Sequence, residues 1–392
     1  MSNLKALLTN FFVIILSLLF GIAVCFAAGE AYYRLKVKGL SIDPPAEWVE
    51  FHKERGWALV PGQYNYFHVT AFREVKTELN SLGTRNPPLE LAAIKNRISI
   101  LGDSFTFADA LNEDEKFTSV IQTLSGDRTE IVNISVPGYG TGQQLLFLNE
   151  LVDKGYEAGS KIVLVFFTND ILDNVGLEYG SAGPDPRKPV FFIEEDGSLN
   201  YRNPADPENK KVSASLGSRS LFARFLKQRV ELLVARYPWL VDVASTLGYS
   251  PTLPRVPGII NGWYTPGWED NWAVTESILL EFQKRAKELT GNDLTVAFIP
   301  SPIQIEPVFK TILKPLDHNE SVMGFRDNPN RPQEVLENFC LTHGIEFIDT
   351  TSALISNPGA GPAYFLREGH LNVLGSRIVG QTIFDSFKTS AK

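Results

Sequence analysis

The 392-residue chain holds two cysteines and five histidines, and neither residue type occurs in pairs at the short spacings a zinc site requires, so a metal hydrolase is set aside. Cys25 lies in an apolar run and Cys340 in a predicted helix, which makes an internal disulfide implausible and points to neither a reducing nor an oxidising compartment. Cys340 reads as a small buried hydrophobe. No long Lys/Arg cluster occurs, and a formal net charge of −8 leaves no electrostatic footprint for nucleic acid. "GYGTGQQ" lacks both the Lys-Ser/Thr of a phosphate-binding P-loop and the third glycine of a dinucleotide fingerprint, so nucleotide binding is set aside as well. No cofactor and no metal are expected. Internal repeats and low-complexity tracts are also missing. What remains, at 44% hydrophobic, 21% charged and 11% aromatic, is a globular chain with room for one large domain plus decoration, or two ordinary ones.

The amino terminus differs from everything after it. "FFVIILSLLFGIAVCFAA", residues 11–28, is apolar without interruption and reaches bilayer length once Leu7 and Leu8 are added. Glu30, Tyr32, Tyr33 and Arg34 form an interfacial border. The run exceeds a signal peptide's apolar region of roughly 7–15 residues, so residues 1–30 read as an uncleaved single-pass anchor; cleavage near Cys25 and Ala27 is the alternative. Arg34, Lys36 and Lys38 against Lys5 lean narrowly toward a cytoplasmic body.

From residue 97 the chain alternates short β-rich runs with longer helical patterns. The strand candidates are 97–101, 130–135, 161–168, 294–300 and 345–350. The intervals hold "EKFTSVIQTL", "GQQLLFLNELV", "TESILLEFQKRAKEL" and "PQEVLENFCLTHG", and "LNVLGSRIVGQTIFDSF" closes the chain. Strands apolar on both faces and separated by helices predict an α/β fold, a doubly wound, flavodoxin-like parallel five-stranded sheet. The domain spans 96–388, residues 31–95 are a juxtamembrane segment packing on it, and a proline-rich stretch at about 176–274 is an inserted cap around the helical "SRSLFARFLKQRVELLVARY".

In such a sheet, ligands bind at the carboxyl ends of the strands. There the sequence places Gly102-Asp103-Ser104, then "VPGYGTG" with Gly138, then Thr168-Asn169-Asp170, and finally "REGHLN" with Glu368 and His370. A serine, glycine backbone, an asparagine and a histidine are the parts acyl transfer needs: a nucleophile, a base and oxyanion donors. These four blocks, in this order, resemble the SGNH hydrolases, also called GDSL-like esterases and lipases. The anchor, "ERGWALVPG" and "NSLGTRN" resemble its membrane-anchored bacterial branch. The resemblance implies Ser104 as nucleophile, His370 as general base, and an oxyanion hole of the Ser104 and Gly138 amides with the Asn169 side chain. The family's commonest pattern sets an aspartate three residues before the histidine. Here that position is Arg367, and Glu368 is the substitute, in an extended segment where residues two apart share a side and Gly369 leaves room for the longer acid. The alternative is a serine–histidine dyad oriented by a backbone carbonyl.

Asp103 reads as a structural residue of the turn. His52, His68, His318 and His343 sit in no motif and read as surface or packing residues. Trp263, Trp268 and Trp272 either stack on sugar faces or pin the insertion to the core. The function expected is ester hydrolysis, removing acyl (acetyl) groups from an ester-bearing small molecule or an acylated cell-envelope glycan. The alternatives are O-acetyl transfer to a polysaccharide by the same machinery and a catalytically inactive glycan-binding module. Family resemblance and the anchor place the body outside the cytoplasmic membrane, against the narrow charge count.

Overall fold

The computed structural model describes residues 2–93, 96–177, 184–205, 220–237, 239–240, 243, 258–306, 319–357, 361–365 and 368–390. Five strands rich in β-branched and aromatic residues form its central sheet: β1 (Asn96–Gly102), β2 (Thr129–Ser135), β3 (Lys161–Phe167), β4 (Thr295–Ile299) and β5 (Glu346–Asp349). All pair in parallel, in the spatial order β5-β4-β3-β1-β2. Read from the opposite edge this is 2-1-3-4-5, the flavodoxin-like winding, whose strand order reverses between β1 and β3.

The two-residue period of a strand divides the core into two layers. Ile98, Ile100, Val163, Val165, Ala297 and Ile299 face one side, where Phe117 and Ile121 of the helix Phe117–Ser125 meet Val379 and Ile383 of the helix Val373–Ser390. Leu101, Val132, Leu164, Phe166, Val296 and Phe298 face the other, against the helices Thr141–Asp153, Trp268–Thr290 and Arg331–Thr342. Leu279, Phe282 and Ala286 share one stripe of the second helix and are completely buried. Each Leu or Phe so buried contributes about 1.5–3 kcal/mol of transfer free energy. That helix begins at Trp268, earlier than the predicted Thr275, so Trp268 and Trp272 lie on it.

Residues before the sheet form antiparallel hairpins, Val49–His52 with Gly56–Leu59 and Gly62–His68 with Arg73–Leu79. Leu59 and Leu79 of the hairpins pack into the core with Leu101 and Phe107, and the segment that follows adds polar contacts to the sheet. Asn86 exchanges two hydrogen bonds with the Asn133 backbone at the edge strand β2, donating at 2.8 Å and accepting at 2.9 Å. Arg85, fully buried, donates to the carbonyls of Phe107, Ala108 and Leu111 at 2.9, 2.6 and 2.6 Å.

The amino-terminal helix runs Ser2–Lys36, and its stretch Asn10–Lys36 is long and apolar enough to cross a membrane, with none of its apolar window buried in the body. Its far end docks on the body. The Glu30 carboxylate accepts from Ser220 Oγ at 2.7 Å and from the Phe222 amide at 3.0 Å, capping the helix Leu221–Arg236. Within the predicted insertion lie that helix and an antiparallel hairpin, Val190–Ile193 with Leu199–Arg202. Much of the insertion, including "PTLPRV", falls outside the described residues, as do His318 and Arg367.

Candidate active site

β1 ends at Gly102, where a Cβ would stand 2.0 Å from Thr106 Oγ1, so the turn leaving the strand is too tight for a side chain. Asp103, fully buried, caps the short helix Ser104–Phe107 by accepting from the Phe105 amide at 2.9 Å. Burial holds its carboxyl above the usual range, against the pull of that bond, the His370 charge and Asn169. It is a turn-former, and Ser104 is left at the mouth of the strand-to-helix turn.

Ser104 Oγ lies 2.6 Å from His370 Nε2. His370 Nδ1 hydrogen-bonds Glu368 Oε1, while Glu368 Oε2 accepts the His370 backbone N–H at 2.9 Å. The carboxylate thus grips the ring and the main chain of the same residue. Burial alone would depress the imidazole, but the charge and hydrogen bond of Glu368, aided by Asp109 and Asp103, raise it to about 9. The segment carrying this pair is a turn, not the extended stretch expected. Glu368 and Gly369 both donate to the Phe365 carbonyl, at 3.1 and 2.7 Å, and Gly369 takes φ +92°. A left-handed glycine, rather than the two-residue period of a strand, turns the glutamate back onto the ring.

β2 leads to a type II turn, Val136-Pro137-Gly138-Tyr139, closed by Tyr139 N–H to Val136 C=O at 3.2 Å, with Gly138 at φ +80°. Trp57, from the Gly56–Leu59 strand, donates its indole N–H to Pro137 C=O at 3.1 Å. The amide N–H groups of Ser104 and Gly138 meet no acceptor among the described residues. β3 ends in Thr168-Asn169-Asp170. Asn169 Nδ2 donates to Asp173 Oδ2 at 2.8 Å, and the same nitrogen carries a second amide proton. The structure therefore brings Ser104, His370, Glu368, Gly138 and Asn169 to one end of the sheet, around the switch point between β1 and β3.

Sequence reasoning missed several neighbours of this set. Lys188, in the insertion's "GPDPRKP", donates to Gly138 C=O at 2.7 Å and pairs with Asp173 Oδ1 at 2.5 Å. His68 is buried beside Glu368: its Nε2 stands 3.8 Å from Asp109 Oδ2, and Glu368 shares the cluster. Three such groups suggest a metal site, but His68 Nδ1 accepts the Ala71 N–H at 3.2 Å, so the ring's proton sits on Nε2. The ring offers the carboxylates a hydrogen rather than a lone pair, which does not suit a cation. Neither Lys188 nor His68 carries a local sequence signal; both are recruited over long chain distances.

The tryptophans answer the question of the insertion. Trp263 is fully buried, donates to Thr168 C=O at 2.9 Å, and packs against Trp268 and Trp272 with ring centroids 5.8 and 5.6 Å apart. They join the segment to the core, and Trp263 has no face to offer a sugar.

No family model matches the chain, and no curated protein matches it. Among solved structures it is similar to a member of the lipolytic G-D-S-L family from Veillonella parvula, 12% identical over 74% of this chain and 98% of that one, with a TM-score of 0.35. An inhibitor-bound aryl esterase from M. smegmatis is 11% identical over 75% and 99%, TM-score 0.34. Est24, a carbohydrate acetylesterase from Sinorhizobium meliloti, is 10% identical over 76% and 100%, TM-score 0.35. At these identities and scores the functional reading stands on the site's own geometry.

Proposed function

We propose that the chain is a serine ester hydrolase of the SGNH type. The observation that carries this reading is the continuous line Ser104 Oγ, His370 Nε2, His370 Nδ1, Glu368, set beside three hydrogen-bond donors at one sheet edge. Ser104 Oγ attacks the ester carbonyl carbon and its proton passes to His370 Nε2. The oxyanion that forms takes the amide N–H groups of Ser104 and Gly138 and a proton of Asn169 Nδ2. Collapse breaks the carbon–alkoxy bond, and the departing alcohol carries away the proton from His370. Water then attacks the acyl-enzyme with His370 again as base, releasing the carboxylic acid and restoring Ser104.

The acyl group is a small one, acetyl, borne by a glycan or other ester at the cell envelope, with residues 1–30 as the anchor and the body outside the cytoplasmic membrane. Docking of the Ser2–Lys36 helix on the body through Glu30 supports an anchor that stays attached. Trp263, being fully buried, lends the glycan no support. Incubating the full chain with an acetylated polysaccharide and with an acetyl donor plus free glycan tests the reaction: free acetate is expected, and acetyl appearing on the glycan instead would make it a transferase. A carboxyl-terminal reporter active only in the cytoplasm would overturn the stated orientation.

A further inference from the structure

The two donors that come from outside the Ser104 turn, Gly138 N–H and Asn169 Nδ2, sit on different loops, after β2 and β3. One buried ion pair touches both loops. Lys188 Nζ donates to Gly138 C=O at 2.7 Å and meets Asp173 Oδ1 at 2.5 Å, and the other oxygen of Asp173 accepts from Asn169 Nδ2 at 2.8 Å. Lys188 is 6% exposed and Asp173 3% exposed, so neither is a surface charge screened by solvent. Trp57 completes the arrangement. Its indole N–H holds Pro137 C=O at 3.1 Å, and in a trans peptide the N–H of the next residue, Gly138, must then point the opposite way. Lys188 lies over the same indole, 5.7 Å from the ring centroid. A Cβ on Gly138 would approach Trp57 to 3.2 Å, so the turn and the indole are fitted closely.

We propose that Lys188 and Asp173, with Trp57, are positioning residues that hold the Gly138 and Asn169 donors in register for one oxyanion, which makes the inserted segment a working part of the site. The proposal rests on the serine hydrolase reading. Lys188 reaches no reacting atom; it acts through the Gly138 carbonyl and Asp173. Its place is fixed by the chain around it: Asp185 N–H bonds Gly176 C=O at 2.9 Å and Phe191 N–H bonds Asn174 C=O at 2.9 Å, which lays residues 185–191 along the segment that follows Asp173. Taking away Lys188 alone would leave Asp173 buried without its cation, so a companion change that removes both charges is needed to separate positioning from folding.

The test uses the full chain in detergent micelles, with p-nitrophenyl acetate as substrate and a trifluoromethyl ketone, whose Ser104 hemiketal bears the oxyanion, as inhibitor. Lys188→Met and the double variant Lys188→Met/Asp173→Asn are expected to lose about 10- to 100-fold in kcat, the usual reach of residues that orient a reacting group, with KM within about twofold. The inhibition constant is expected to rise by the factor by which kcat/KM falls, which a merely structural role would not produce in folded enzyme. Trp57→Phe, which removes the indole N–H together with the wider ring that Gly138 and Lys188 pack against, is expected to show a loss of the same kind. Parent kcat and parent inhibition in the double variant overturn the proposal. So does failure of the double variant to fold, because the pair would then be structural. An inactive parent, or an active Ser104→Ala variant, instead overturns the hydrolase reading itself.

Discussion

Glu368 reaches back across Gly369 to His370 with both oxygens, one on the ring Nδ1 and one on the backbone N–H at 2.9 Å. A carboxylate so placed selects the tautomer whose free nitrogen faces Ser104 and stabilises the imidazolium that forms during attack. Glu368→Gln should lose on the order of 10²–10⁴ in kcat while keeping the fold, measured with small acetyl esters and by circular dichroism. Arg367→Ala should matter far less. Parent turnover by Glu368→Gln would mean that a serine–histidine dyad suffices.

The pH profile carries the same information by another route. With His370 raised to about 9, kcat/KM should climb with pH to a half-maximum near that value, because only the neutral ring accepts the Ser104 proton. Glu368→Gln removes the charge that raises it, so the midpoint should fall to or below the ordinary histidine value of about 6.5. The stability contribution has the opposite sign of slope. A raised folded pKa favours the folded state fully below about 6.5, and that favour is lost as pH rises through about 9. Denaturant titrations of parent and variant across this window should show the parent's stability falling more steeply.

Gly102 is where the fold and the proposed nucleophile meet. Gly102→Ala forces a methyl to within 2.0 Å of Thr106 Oγ1 in the turn that presents Ser104. The expected cost is about 1–3 kcal/mol, the range for overpacking, read from urea midpoints, together with slowed turnover. Unchanged stability and rate would show that the turn relaxes freely.

Arg85 supplies the donors for three carbonyls at and beyond the end of the Ser104–Phe107 helix. Arg85→Met strands them in a buried site, and leaving buried acceptors unpaired costs about 1–3 kcal/mol each at most, so a loss of about 3 kcal/mol is expected from chemical denaturation. A loss under about 1 kcal/mol would indicate that water reaches those carbonyls.

The sheet was legible because β1 to β5 are apolar on both faces and separated by helical patterns, a signature that parallel strands cannot avoid. The boundaries drifted little, except at Trp268, where aromatic residues assigned to the inserted cap begin a helix. That Ser104, Gly138 and Asn169 follow the ends of β1, β2 and β3 was legible from order alone, and so was the place of His370 before the closing helix. The backbone of Gly369 was not, since a glycine is compatible with an extended strand as readily as with a left-handed turn. Lys188, His68 and Trp57 were beyond reach for a different reason: each meets a partner far along the chain, Gly138, Asp109 and Pro137, and no local period reports such a contact. The hairpins between the anchor and β1 escaped definition too, because their place comes from long-range contacts, the packing of Leu59 and Leu79 into the core and the polar ties to β2 and the Ser104 turn.

The most direct measurement is covalent. A fluorophosphonate probe added to the full chain in detergent should label one residue, identified as Ser104 by peptide mass spectrometry, and Ser104→Ala should abolish both the label and the turnover of acetyl esters. Labelling of Ser104→Ala at the parent level, or turnover that survives the substitution, would contradict the assignment of Ser104 as the nucleophile and with it the account of the site.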